Sequence, residues 1–222
     1  MEEAEAYDFS MSNEELLELC KRQDQEALRV LFRRHERPVY SLLYRMLSNH
    51  EDAEEALAAV FVKVWRGASG FKGDAKFTTW LFKIASNAAR DTLRSRKLRQ
   101  EVSIEDVVIN EAETQSRTGR AVGDPVKAAL DAVERALVTR AMLKLAEEDR
   151  LLISLYHFQE RDYDEIAEIT DIPASNLKVK LFRARRRLRK LCAEVENGEG
   201  ENEVRTDTTE SSGLQQGAAD WA

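Results

Sequence analysis

The most informative pattern in the chain is YDEIAEITDIPASNLKVKLFRARRR, residues 163–187. A short helix that turns Ile166 and Ala167 inward comes first, and a tight connection follows at residues 170–173. A longer helix then repeats aliphatic and small residues at helical spacing on its inward side: Leu177, Leu181, Ala184 and Leu188. Two helices joined by so short a connection predict a helix-turn-helix, which lays its second helix in the major groove of DNA.

The outward side of the second helix carries groups suited to a DNA groove. It presents Ser175, Val179, Phe182 and Arg186, and it is bordered by Lys178 and Arg183. Arginine and lysine can read guanine or hold phosphates, whereas apolar groups meet the thymine methyl group. An amphipathic hairpin with a basic rim is the alternative interpretation, but the spacing favours DNA recognition.

The composition predicts an all-α protein around this motif. Of the 222 residues, 34% are charged and 7% are aromatic, and the chain holds only 9 glycines and 3 prolines. Such a chain lacks the glycine, cysteine or proline content of collagen-like, disulfide-framework and low-complexity proteins. Its length fits two small helical domains joined by a flexible linker, the second being the helix-turn-helix domain.

Charge is distributed unevenly along the chain. The net charge is −7, which by itself argues against a nucleic-acid partner. Counted by segment, residues 21–100 carry +8 and residues 151–190 carry +3, whereas residues 1–20, 101–150 and 191–222 carry −7, −4 and −7. Two basic bodies flanked by acidic segments are expected of two nucleic-acid-binding units on a tether. Two solvated helical domains with acidic tails are the alternative interpretation.

Capping residues and helix breakers predict the remaining helices and the domain boundaries. Ser12 with Glu15 forms a capping box, and Asp24 caps the next helix. Pro38 suits the first turn of a helix. Further helices are predicted from Asn49 or His50 to Gly67 and from about Thr79 to Arg96. We therefore expect an acidic extension at 1–12, a first domain at 13–100, an acidic linker at 101–124, the helix-turn-helix domain at 125–196 and a disordered acidic tail at 197–222.

A second informative segment is FKGDAKFTTWLFKIASNAAR, residues 71–90. On a helical wheel, one side is expected to face the core: Leu81, Ala85, Ala88 and Thr92. The opposite side is a ridge of cations and an amide, flanked by Trp80: Lys83, Asn87, Arg90 and Arg94. Cations hold phosphates, an aromatic ring stacks on a base and an amide reads a base edge, so this ridge suits an unpaired base. A buried tryptophan beside a solvated charged face is the alternative.

The sequence offers no pattern typical of an enzyme, a metal site or a membrane protein. Cys20 and Cys192 lie far apart, and no histidine is near either one at metal-ligand spacing. His35, His50 and His157 are isolated from one another and from any nucleophile or phosphate-loop signature. The chain contains no long apolar run, and its first residues are acidic where a secretory signal is basic and then apolar. We expect a cytoplasmic protein without catalytic residues, cofactor or bound metal.

Taken in order, these motifs resemble the extracytoplasmic-function (ECF) sigma factors, the smallest members of the bacterial sigma-70 family. The resemblance extends over residues 13–193. Residues 52–66, DAEEALAAVFVKVWR, are similar to the region that docks on the clamp helices of the polymerase β′ subunit. Residues 71–99 resemble the melting and minus-10 regions, and residues 146–190 resemble region 4, which binds the β flap and reads the minus-35 element.

This resemblance implies roles for individual residues. A minus-10 base would be flipped into a pocket that involves Phe71, Lys72 and Asn87, while Lys83, Arg90 and Arg94 hold the strand. The minus-35 element would be read by Lys178, Val179, Phe182 and Arg183. Contacts with polymerase would come from Asp52, Glu54, Glu55, Phe61 and Trp65. The implied partners are core RNA polymerase, promoter DNA and an anti-sigma factor, without membrane insertion.

Four positions depart from the pattern of that family. Ala58 and Ala59 stand where the clamp-binding helix usually has Gln-Glu, and Val179 replaces a commonly small polar residue of the reading helix. Asp171 stands where the turn usually has glycine; because aspartate tolerates a left-handed backbone, we expect the turn to be kept. The alternative function is a free-standing helix-turn-helix regulator with an N-terminal sensing domain, which would bind its operator without polymerase.

Overall fold

The computed structural model of the chain describes residues 11–102 and 135–210, with side chains at 11–99 and 135–197. These residues form helices and no strand, as the composition predicts. The helices are α1 (Asn13–Lys21), α2 (Gln25–Leu47), α3 (His50–Gly67), α4 (Phe77–Val102), α5 (residues 135–143), α6 (Glu147–Ile153), α7 (Tyr163–Thr170) and α8 (Ala174–Glu210). The all-α prediction is therefore confirmed.

The chain divides into two compact units. The first comprises residues 1–111 and 146–184, and the second comprises residues 112–145 and 185–222. The first unit therefore holds α1 to α4 together with α6, α7 and the beginning of α8. The boundaries between the five segments expected from the sequence stay predictions, and most of the expected extension and linker lies outside the described residues.

The N-terminal helices begin at the predicted caps. The Ser12 side chain accepts a hydrogen bond from the Glu15 amide, and the Glu15 carboxylate accepts one in return from the Ser12 amide at 2.7 Å. At the start of α2, Asp24 Oδ1 accepts from the amides of Glu26 and Ala27 at 3.0 and 3.2 Å. Both caps satisfy amides that have no partner inside the helix.

The prediction for Pro38 was wrong. This proline lies inside α2 and does not begin a new helix. A proline inside a helix removes one backbone hydrogen bond. The apolar side of α2 continues through the proline, with Leu31 before it and Val39 and Leu42 after it fully buried. Burial of this continuous face offsets the cost of the missing bond.

Two arginines from later helices close the C-terminal end of α2. Arg96 of α4 donates to the Leu47 carbonyl at 2.7 Å, and Arg150 of α6 donates to the Met46 carbonyl at 2.8 Å. The C-cap Ser48 adopts a left-handed backbone with φ of 56°. Burial lowers the pKa of both guanidinium groups. Cations at this end complement the helix dipole and satisfy carbonyls that the helix leaves open.

Helix α4 is longer than predicted at both ends. It begins at Phe77 instead of Thr79 and continues beyond Arg96 to Val102. The Phe77 amide donates to the Glu14 carboxylate of α1 at 3.0 Å. Because this capping group comes from a distant part of the chain, the local sequence around Thr79 could not indicate it.

The helix-turn-helix forms as predicted. Asp162 and Glu165 make a capping box at the start of α7, and Asp171 ends that helix in the left-handed region with φ of 59°. The next helix begins at Ala174, and its inward Leu177 and Leu181 are buried. Helix α6, which precedes this motif, passes into one π-helical turn at Ser154–Phe158.

Helix α8 extends to Glu210, into the segment for which a disordered acidic tail is expected. No proline follows Pro173, so the backbone can continue as a helix. Gly198 and Gly200 lower helix stability by about 1 kcal/mol each without blocking it. Residues 211–222 lie outside the described residues.

Four apolar residues of the second unit are buried. Ala141 and Met142 of α5 and Leu145 after it are buried, as is Val195 of α8. On the surface of α8, Lys190 Nζ lies 3.5 Å from Glu194 Oε1 one turn away.

Candidate nucleic-acid interface

A cavity of about 430 Å³ opens between the glycine-containing loop before α4 and the first turns of that helix. Its lining includes four residues that the sequence singled out for the minus-10 strand: Phe71, Lys72, Trp80 and Lys83. Two acidic residues of the helix-turn-helix, Glu168 and Asp171, complete its wall. The cavity thus combines aromatic rings, two cations and three carboxylates, the third being that of Asp74 in the loop.

The aromatic part of the cavity is built around Trp80. Its ring centroid lies 5.1 Å from that of Phe71 and 6.2 Å from that of Phe77. Gly67 allows this placement, because a Cβ atom there would lie 3.1 Å from Cζ2 of the Trp80 ring. Trp80 is half-buried, so neither a fully buried tryptophan nor a freely solvated one describes it.

The predicted ridge on α4 is present on the side opposite the core. Leu81, Ala85 and Ala88 are buried, whereas Asn87 and Arg94 are exposed. The other two members of the ridge are half-buried and paired with acids. Lys83 Nζ donates to Asp171 Oδ1 at 2.7 Å, and Arg90 Nε lies 3.5 Å from Glu147 Oε1. Asn87, Arg90 and Arg94 lie along α4 outside the cavity lining.

The outward face of α8 is open to solvent. All six residues predicted to read or hold the minus-35 element are exposed: Ser175, Lys178, Val179, Phe182, Arg183 and Arg186. Two of them are apolar, with 50% of Val179 and 64% of Phe182 accessible. Exposed apolar groups among cations suit contact with thymine methyl groups beside phosphates.

The residues assigned to polymerase contact fall into different environments on α3. Glu55 is exposed, as are the neighbouring Ala58 and Ala59. Glu54 is also exposed and pairs with His50 at 3.4 Å, while Trp65 is half-buried.

Two of these polymerase-contact assignments have structural partners inside the protein. Asp52 forms an ion pair with Arg96 of α4. Phe61 is only 5% exposed, and its ring packs edge-to-face on that of Phe32 at 4.8 Å. In this conformation Phe61 is a core residue, so it shapes the surface of α3 without forming part of it.

The described residues provide little for other kinds of chemistry. Across 11–99 and 135–197, no three potential metal ligands come together. Cys20 is buried, which raises the pKa of its thiol to about 11, and Cys192 is half-buried; both are free. In the helices that the structure describes, none is both long and apolar enough to cross a bilayer.

Sequence reasoning missed the acidic residues that face α4. Glu165 lies 3.1 Å from Lys76 Nζ, and Glu168 lines the cavity beside Asp171. Arg161 joins the same contact through a 3.3 Å hydrogen bond to the Thr78 hydroxyl. The departure at Asp171 was the one signal in the sequence, but its partner is 88 residues away.

Comparison with known proteins identifies the two basic segments. Residues 31–99 match Sigma-70 region 2, and residues 135–188 match Sigma-70 region 4. The chain is 31% identical to the ECF RNA polymerase sigma-E factor of Escherichia coli over 177 residues, which cover 79% of this chain and 91% of that protein. It is 27% identical to the RNA polymerase sigma-H factor of Pseudomonas aeruginosa over 176 residues, 78% and 90% of the two chains.

Two solved structures share the fold. CnrH in complex with the cytosolic domain of CnrY has a TM-score of 0.58 at 20% identity, covering 82% of this chain and 97% of that one. The sigma factor RpoE in complex with the anti-sigma factor NepR from Bartonella quintana has a TM-score of 0.55 at 22% identity, covering 73% and 94%. With both regions matched in order and a relative covered over 91% of its length, the chain belongs to the ECF sigma factors of the sigma-70 family.

Proposed function

We propose that this sigma factor directs core RNA polymerase to its promoters by reading the minus-35 element with α8 and capturing an unpaired minus-10 base in the cavity beside α4. The observation that carries the minus-10 part is the meeting of Phe71 and Trp80 with Lys72 and Lys83 around one cavity. The free-standing regulator is not favoured, because residues 31–99 match Sigma-70 region 2.

The cavity supplies what an extruded base needs. An aromatic surface stabilises an unstacked base by about 1–3 kcal/mol, and cations beside it hold the flanking phosphates. The exposed Asn87 and Arg94 and the half-buried Arg90 continue along α4 and would follow the strand away from the cavity. Capture of the base favours the open duplex, since the flipped base is no longer free to pair.

The outward face of α8 supplies double-stranded recognition. Phe182 and Val179 are the apolar reading groups, and Arg183 with Lys178 provides hydrogen bonds to bases or phosphates. Because Val179 and Phe182 both expose apolar surface, we expect thymine methyl groups in the preferred minus-35 sequence. Phosphate contacts by the same face position the helix without adding sequence preference.

The partners follow from the family. We propose that residues 13–100 bind the β′ clamp helices through the exposed side of α3, including Glu54 and Glu55, and that residues 125–196 bind the β flap. The protein would act in the cytoplasm, together with RNA polymerase. The relative RpoE is bound to the anti-sigma factor NepR in its solved structure, which supports an anti-sigma factor as a further partner.

Run-off transcription with core enzyme tests the specificity role. DNA that copurifies with the tagged protein and polymerase supplies the promoter. We expect a promoter-specific transcript only when sigma factor and core enzyme are both present. Tight operator binding by the protein alone, without specific transcription, would instead support the free-standing regulator.

Two variants separate the two DNA sites. Trp80→Ala should reduce permanganate-detected melting about tenfold or more while closed binding is kept, because a stacking surface is lost. Asn87→Ala is expected to act in the same direction. Phe182→Ala is the matched control on the other site, and it should weaken closed binding and minus-35 preference while melting of bound complexes is kept. Equal losses in both steps for Trp80→Ala would remove the cavity from the melting mechanism.

A further inference from the structure

One side of α7 carries three carboxylates at helical spacing: Glu165, Glu168 and Asp171. We name these three residues the acidic face. All three lie against the minus-10 site within the first compact unit. Glu165 lies 3.1 Å from Lys76, Asp171 lies 2.7 Å from Lys83, and Glu168 lines the cavity with Asp171.

Apolar burial accompanies these polar contacts. Ile166 and Ile169, which flank the acidic face, are each 1% exposed, and Thr79 in the first turns of α4 is 3% exposed. Arg161 lies with its guanidinium carbon 5.0 Å above the Phe82 ring of α4. Helix α7 is therefore packed against the beginning of α4 as one helix packs against another within a core.

The acidic face and a DNA strand need the same cations. Lys83 lines the cavity, and its ammonium group already donates to Asp171 at 2.7 Å. A phosphate arriving at this lysine must displace a carboxylate, and the second carboxylate, Glu168, repels it. We propose that the acidic face is an autoinhibitory contact, which covers the minus-10 site of the free protein until α7 leaves α4.

The side-chain charge of Asp171 serves this contact, because the turn itself does not require a charged residue. Its backbone is left-handed, with φ of 59°, a conformation that glycine and asparagine also adopt readily. Either of those residues would make the turn without a charge. Only aspartate makes the turn and also supplies the carboxylate that Lys83 binds.

The contact is weak enough to be reversible. In the Lys83 pair, 39% of the lysine side chain and 75% of the aspartate side chain are exposed. Pairs this exposed contribute little and are screened by salt. We therefore expect removal of the Glu168 and Asp171 carboxylates to raise affinity for single-stranded DNA about threefold to tenfold at low salt.

The test compares full-length variants in binding a fluorescein-labelled, randomised single-stranded oligonucleotide of about 15 nucleotides, followed by anisotropy at about 50 mM salt. The double variant Glu168→Gln, Asp171→Asn removes the two carboxylates that the acidic face contributes to the cavity, keeps Asp74 and keeps the turn. Glu165 is left unchanged because it belongs to the capping box of α7. The control, Glu160→Gln with Asp164→Asn, removes the same charge from exposed positions outside the cavity lining.

A zero-length carbodiimide cross-link reports the contact directly. In the parent protein, mass spectrometry should identify a peptide pair joined through Lys83 and Asp171, and added core polymerase should reduce its yield. Absence of this cross-link from the free protein would overturn the proposal.

The inference rests on the proposed minus-10 site, and Lys83→Ala separates the failure of one from the failure of the other. A gain in the cavity variant that exceeds the control and is lost with Lys83→Ala supports the proposal. No gain, or a gain equal to that of the control, overturns it; if Lys83→Ala still weakens binding, the minus-10 site itself stands. If Lys83→Ala and Trp80→Ala leave binding unchanged in every background, the proposed minus-10 site fails and the inference fails with it.

Discussion

Substitution of Arg96 by methionine should destabilise the first compact unit and reveal what Asp52 does. Arg96 donates to the Leu47 carbonyl at the end of α2 and pairs with Asp52 near the start of α3. One guanidinium thus ties α4 to both helices that precede it. Methionine keeps the aliphatic stem and removes the donors.

The magnitude follows from burial. A hydrogen bond from a charged donor contributes about 1.5–3 kcal/mol. The ion pair with Asp52 is about three-quarters buried, since 28% of Arg96 and 25% of Asp52 are exposed, so it exceeds a surface pair. We expect Arg96→Met to cost about 2–3 kcal/mol. Asp52→Asn should cost about 1 kcal/mol, because Arg96 keeps its bond to Leu47.

A double-mutant cycle measures the coupling. Urea unfolding of the parent, the two single variants and the double variant should give a coupling energy of about 1 kcal/mol. The double variant should be hardly less stable than Arg96→Met, because the loss of Arg96 has already broken the ion pair with Asp52. Affinity for core polymerase, measured in parallel at a temperature where all variants are folded, separates a structural role of Asp52 from a binding role.

Additive effects on stability would refute this reasoning. If the coupling energy is below about 0.3 kcal/mol, the ion pair contributes nothing, and Asp52 is free to act on polymerase alone. A loss of polymerase affinity in Asp52→Asn that Arg96→Met does not share would point the same way. If all folded variants bind core polymerase with equal affinity, Asp52 has a structural role and no role in polymerase binding.

Three further predictions concern other parts of the structure. Burial lowers the pKa of His35 from 6.5 to about 4, so the folded state holds it neutral. As pH falls from about 6.5 towards 4, the unfolded state therefore takes up a proton at His35 before the folded state does. The free energy of unfolding, measured with urea, should fall by about 2 kcal/mol over this range. His35→Gln should remove this pH-dependent loss. Gly67→Ala should keep the free energy of unfolding within about 1 kcal/mol of the parent value, since the gain in helix propensity and the displacement of the Trp80 ring have opposite effects. It should nevertheless weaken promoter melting. Unchanged melting would show that the ring position is not critical. Asp162→Ala should cost about 1–2 kcal/mol in urea unfolding by removing the cap of α7, and Asp162→Asn should restore most of it.

Features set by neighbours in sequence were predictable. The capping box at Ser12 and the turn at Asp171 were expected, and each depends on residues within four positions; the capping box at Asp162, which was not singled out, is equally local. The periodicity of α4 correctly separated its buried side from the ridge that includes Lys83. Local hydrogen bonds and helical spacing are sufficient to specify such elements.

Features set by distant contacts were not predictable. Pro38 remains inside α2 because the buried face continues through it, and α4 begins early because Glu14 of α1 caps it. The periodicity placed Lys83 on the outer side of its helix but gave no sign of its partner. Phe61 is a core residue because α2 brings Phe32 against it. Each of these outcomes depends on packing between helices, which one sequence does not display.

The net charge of the second basic segment hides the acidic face, because acids and bases are concentrated in different parts of that segment. Residues 151–190 carry +3, yet five of their six acids lie between 162 and 171, and eight of their nine bases lie between 178 and 190. The two helices of the motif therefore have opposite charges. In the folded protein Glu165 pairs with Lys76 just before α4 and Asp171 pairs with Lys83 in α4, while α8 presents exposed bases to solvent. If α7 leaves α4, Lys83 loses its carboxylate partner while α8 stays basic and exposed, so this movement would make the minus-10 site available to a promoter beside the minus-35 face, which is already open.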